Sequence, residues 1–99
     1  MARYFVVGTD PLSGDQERAF IREMGPVHWW HWFPNFWLVR DDKESLTAAR
    51  LRNMVRRSSR EGTRCVVLEV APATWAGLTM SDPEGREMAE WLRSTWTKE

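Results

Sequence analysis

Cysteine is almost missing from this chain: Cys65 is the only one. A lone thiol closes no intrachain disulfide and builds no cysteine-based zinc site, so packing must hold the fold. A reducing cytoplasm is the expected setting. Net charge is missing as well, because fourteen Lys and Arg residues balance fourteen Asp and Glu residues. That excludes a polycation drawn to nucleic acid by its total charge. No apolar run approaches the roughly 20 residues that span a bilayer. Met1-Ala2-Arg3 leads straight into an apolar strand rather than a secretory leader, so no membrane role is expected. The six glycines are scattered, and Gly8 with Gly14 is too sparse a pair for a nucleotide-binding loop.

Tryptophan is what the chain has in excess, seven in 99 residues. Trp29, Trp30, Trp32 and Trp37 crowd one stretch, His28 to Arg40, together with both histidines and with Phe33 and Phe36. Two apolar runs there, Val27 to Phe33 and Phe36 to Arg40, meet at Pro34-Asn35, which is turn chemistry. Aromatic and β-branched residues suit a pleated surface, so the stretch predicts a β-hairpin. Strand alternation puts Val27, Trp29, His31 and Phe33 on one side and His28, Trp30 and Trp32 on the other. In the second strand Phe36 and Leu38 oppose Trp37 and Val39. Both faces are heavily apolar, the pattern of a strand covered on both sides.

The flanking segments fall into a regular order. Tyr4-Phe5-Val6-Val7 reads as a buried strand ending at Gly8. Asp10-Pro11 predicts a helix start, Asp as N-cap and Pro at the first helical position. Ser13 with Gln16 offers a second start as a capping box. Ala19, Phe20 and Met24 supply the apolar stripe, and Gly25-Pro26 ends the helix. After the polar break Asp41-Asp42-Lys43-Glu44, Ser45 or Thr47 caps a second helix carrying Ala48, Leu51, Met54, Val55 and Ser58 at helical spacing. Ser59 to Thr63 is a loop, and Arg64 to Val70 a strand. Trp75-Ala76-Gly77-Leu78 is an irregular turn. Asp82-Pro83 repeats the cap-plus-proline device ahead of a helix with Met88, Trp91, Leu92, Thr95 and Trp96 on one face.

Residues 1–99 therefore predict one α+β domain. Its order is the β-α-β-β-α-β of a ferredoxin-like plait with a four-stranded antiparallel sheet, plus an additional C-terminal helix. Both crossover helices belong on one face. The other face needs a cover: the last helix, a second copy of the chain, or a ligand.

Val6-Val7-Gly8-Thr9-Asp10, Trp30-His31 six residues before Trp37-Leu38-Val39, and Arg64 to Val70 running into Trp75-Ala76-Gly77 form a pattern over most of the chain. It resembles the short bacterial proteins of the SinR family, themselves similar to the small CRISPR-associated endoribonuclease-fold protein of the adaptation machinery. The resemblance implies a ferredoxin-like protomer and a symmetric dimer. It also implies that Asp10, at the end of the first strand, binds a divalent cation (Mg or Mn) together with its symmetry mate. This chain departs from the family pattern in having Gly8-Thr9 before that aspartate and Pro11 after it, which counts against the metal role.

Several residues carry candidate chemistry. Asp10 reads as a helix cap from its own surroundings and as a metal ligand and catalytic carboxylate from the resemblance. His31 would act as a general acid or orient a phosphate beside it. His28 and His31 point to opposite sides of a strand, which argues against a zinc pair. Arg50, Arg52, Arg56, Arg57, Arg60 and Arg64 form the one basic segment and would track a phosphate backbone. The competing account is a solvated helix face paired with acids elsewhere. Trp30, Trp32 and Trp37 are the expected dimer-interface residues. Base stacking on the sheet is a weaker alternative, since the Arg64–Val70 strand has no aromatic. The expectation is thus a homodimeric protein associated with RNA or DNA. Any metal-dependent cleavage would be weak, because only one carboxylate is placed for it. The alternative is a non-catalytic dimerising interaction module of adaptor or antitoxin-like kind.

Overall fold

The structure, a computed structural model, describes residues 2–78 and 83–96. The elements are β1 (Arg3–Thr9), α1 (Gly14–Met24), β2 (His28–Phe33), β3 (Phe36–Asp41), α2 (Ala48–Ser58), β4 (Cys65–Val70) and α3 (Pro83–Trp91). The last helix continues into a π-helical turn over Leu92–Trp96. Every strand pairing is antiparallel, and the strand order is β2-β3-β1-β4. The domain is α+β with one four-stranded sheet. No helix of the described residues is long and apolar enough to cross a membrane.

Local chemistry explains the helix ends. Ser13 caps α1 through a complete capping box: its hydroxyl accepts from the Gln16 backbone N–H, and the Gln16 side chain accepts from the Ser13 N–H. Asp10 does not cap this helix, correcting the sequence expectation. Asp-Pro offers a cap to a helix that starts three residues later. Thr47, not Ser45, caps α2. Gly25 closes α1 at a positive φ of 72°, a conformation natural to glycine. Asp82, the expected cap of α3, lies outside the described residues.

The two faces of the sheet carry separate cores. Under α1 and α2, Phe5, Val7, Trp37 and Val39 meet Phe20, Leu51 and Val55, all completely or almost completely buried. Each such side chain contributes on the order of 2 kcal/mol on leaving water. On the opposite face Trp30 and Leu38 pack against Leu92 and Trp96, with Tyr4, Val6 and Met88 around them. The chain's own last helix therefore covers part of the second face. Trp30 Nε1 donates to the Met88 carbonyl at 3.3 Å, and Arg40 donates to the Thr95 carbonyl at 2.8 Å, fastening the helix to β2 and β3.

Alternation fails at one place. The β2–β3 register shifts between Trp30 and Phe33, and Phe33 lies against Trp30 with ring centroids 5.3 Å apart. Phe33 thus joins the Trp30 side, not the Trp29 and His31 side expected from strict alternation. The hairpin turn supplies the reason. Pro34 fixes a negative φ, and Asn35 has no positive φ either, so the type I′ turn that matches strand twist is excluded. The bulge absorbs the mismatch.

Candidate nucleic-acid interface

The basic segment divides once its partners are traced. Arg50 donates to the Ser45 carbonyl at 3.0 Å, and Arg57 binds Glu23 of α1 at 2.8 Å. These two arginines fasten α2 to its surroundings. Arg52, Arg56 and Arg60, spaced by four, run down the end of α2 into the following loop. With Arg64 they line a cavity of about 530 Å³ whose wall includes Cys65 and a single acid, Glu61. Arg52 bonds only the amide oxygen of neighbouring Asn53. Arg56 and Arg60 have no side-chain partner among the described residues. Burial pushes the Cys65 thiol pKa up, and the charge of Arg52 opposes that shift.

Asp10 and Arg64 face each other because β1 and β4 are antiparallel neighbours with Thr9 opposite Cys65. The Arg64 guanidinium forks onto Asp10, Nη2 to Oδ1 at 3.0 Å and Nε to Oδ2 at 3.1 Å, and the Arg64 backbone N–H adds 2.9 Å to Oδ2. The side-chain bonds, then the backbone bond, hold the Asp10 carboxyl below its ordinary pKa, and the charge of Arg60 helps. Asp10, Pro11 and Arg60 line a second hollow of about 600 Å³ next to the first.

Both Asp10 oxygens are thus engaged by a cation of the protein itself. No group of three or more His, Cys, Asp or Glu poised for a metal occurs among the described residues. Within one chain Asp10 faces the Arg64 guanidinium rather than a second acid.

His31 stands apart from Asp10. Its Nδ1 donates to the Phe36 carbonyl at 3.0 Å, Nε2 faces the Glu17 carboxylate at 2.8 Å, and the ring stacks on Trp37 at 3.7 Å. These contacts clasp α1 to the hairpin, and none of them reaches Asp10. His28, on the other side, meets Asp42 at 3.2 Å.

Two of the three expected interface residues are used within the chain itself. Trp30 and Trp37 are buried inside their own chain, and Trp32 packs half-buried against the second core. Sequence reasoning missed Asp41, whose buried carboxylate accepts from the backbone N–H groups of Lys43, Ser45 and Leu46 at 2.7 to 3.1 Å. The signal was an acid closing a strand just ahead of a loop full of unpaired N–H groups.

A further cavity of about 630 Å³ lies on the second sheet face, between Trp30, Phe36, Val70, Trp75 and Trp96. Among the described residues no charged side chain lines it. No family model, curated protein or solved structure matches the chain.

Proposed function

We propose that the protein is a nucleic-acid-associated ferredoxin-like plait that grips a phosphodiester backbone through the cavity of Arg52, Arg56, Arg60 and Arg64. The fold part of this reading is supported by the element order and by the sheet, which from its other edge runs β4-β1-β3-β2 with only antiparallel neighbours. The carrying observation is the convergence of four arginines on one cavity with two of them unpartnered. Guanidinium forks match phosphate oxygens, and each phosphate neutralised releases counterions. Asp10 serves here as a positioning residue: it holds Arg64 at the cavity mouth. The reading agrees with the resemblance to SinR-type proteins and leaves out metal-dependent cleavage, for which Asp10 is already occupied.

Fluorescence anisotropy with labelled single-stranded RNA and DNA over a salt series tests this. Wild type should bind with an affinity that falls as salt rises. Replacing Arg56 and Arg60 together by alanine should reduce the log–log salt slope by about 1.4, at about 0.7 for each phosphate no longer neutralised. Absence of binding at low salt, or an unchanged slope in the double variant, overturns the proposal. The second reading, a non-catalytic interaction module, is favoured by the exposed apolar residues of β4 and expects no nucleic-acid shift at any salt.

A further inference from the structure

The sheet has two edges, and among the described residues only one carries a bulge. At the β2 edge the strand is bulged between Trp30 and Phe33. A bulge is one device by which natural sheets keep an edge from recruiting another strand. The described β4 edge has no bulge. Its six residues, Cys65-Val66-Val67-Leu68-Glu69-Val70, run in unbroken register along β1. They include no proline, glycine or lysine, and the one charge, Glu69, is held by Arg3 at 3.0 Å. Among the described residues no backbone hydrogen bond reaches these six residues from any strand or loop other than β1. On the face away from α2, Val66 is 62% and Leu68 55% exposed.

We propose that β4 pairs antiparallel with β4 of a second copy of this chain across a two-fold axis, joining two sheets into one of eight strands. The outward N–H and C=O groups of β4 require a strand as occupant, since only an extended backbone satisfies them in sequence. The side chains favour a second copy because the segment is self-complementary. A two-fold centred on Val67 sets Val66 of each protomer opposite the partner's Leu68 on the same face, at cross-strand contact distance. It also sets Glu69 opposite the partner's Cys65, so the two acids do not meet. One patch thus serves both sides, as an isologous contact demands. This pairing does not depend on nucleic-acid binding. It would place the two arginine cavities, each beside a Cys65, toward opposite ends of one seam.

Sedimentation velocity of the full chain without nucleic acid provides the test. Over a micromolar concentration series the mass should rise to twice 11.7 kDa. Val66→Lys with Leu68→Lys should sediment as the monomer, and the milder pair Val66→Thr with Leu68→Thr, which keeps strand propensity, should weaken association. Far-UV circular dichroism checks that both variants fold. Arg56→Ala should leave the mass unchanged. Hydrogen exchange on wild type gives a readout independent of any variant. β4 amides should be protected at high concentration and lose protection on dilution, while those of the β2 edge stay constant. A monomer at every concentration, a doubled mass in the folded lysine variant, or dilution-insensitive β4 amides overturns the proposal.

Discussion

Under α1 and α2, Phe5, Val7, Phe20, Trp37 and Val39 are wholly removed from solvent. Across the same sheet, under α3 and its π-helical turn, a cavity of about 630 Å³ remains, and Val66 and Leu68 stand more than half exposed. Both sides draw on tryptophan, phenylalanine and β-branched residues, so composition does not make the difference. Coverage does. Two helices roofing four strands close the first side. One helix held near β2 and β3 leaves the β4 end of the second side open. The first side is closed to solvent, and the second leaves apolar surface open.

Trp37→Ala should separate the two sides most sharply. It empties a site walled by Phe20, Trp29 and the His31 ring, and should cost about 4 kcal/mol in urea denaturation. Trp96→Ala should cost about 2 kcal/mol, because the open cavity beside it and the end of the helix let neighbours relax. Equal losses would mean that both sides are packed alike. The smallest effect concerns the rim between them. Asp10 has its pKa lowered in the folded state, so its ion pair supports the fold at pH above the ordinary carboxylate value. That support is lost as pH falls through the depressed value. NMR titration of the Asp10 carboxyl should show a midpoint below that of a free aspartate, and Arg64→Ala should move it back only part of the way, because the residue-64 backbone N–H and the charge of Arg60 remain.

Much of the architecture is legible in the residues. The capping box at Ser13, the turn at Pro34-Asn35 and the stripe of Leu51 and Val55 are local signals, and they lie where the sequence indicates. What stays hidden depends on pairs distant in the chain. Asp10 resembles a cap because Pro11 follows it, but its partner Arg64 lies 54 positions away and comes near only when β1 and β4 align. The arginine run likewise reads as one patch, whereas Glu23 and Asp10 claim two of its members. His31 reads as free for chemistry until α1 brings Glu17 to it. Phe33 falls on the wrong side under period-two reasoning, which has no place for a bulge. The π-helical turn, too, leaves no mark on the amphipathic stripe of Leu92 and Trp96.

The register shift between Trp30 and Phe33 makes the length of this hairpin as consequential as its lettering. Deleting one residue within the shifted stretch would remove the bulge and leave Phe33 two positions from Trp30, still on the Trp30 and Phe36 side, with the one residue between them opposite Trp37. A substitution there alters one wall of the chamber beneath the last helix, whereas an in-frame loss of a single codon would strip the β2 edge of its bulge and leave a regular edge strand. Length variation in this stretch should therefore be far rarer than replacement of one aromatic by another.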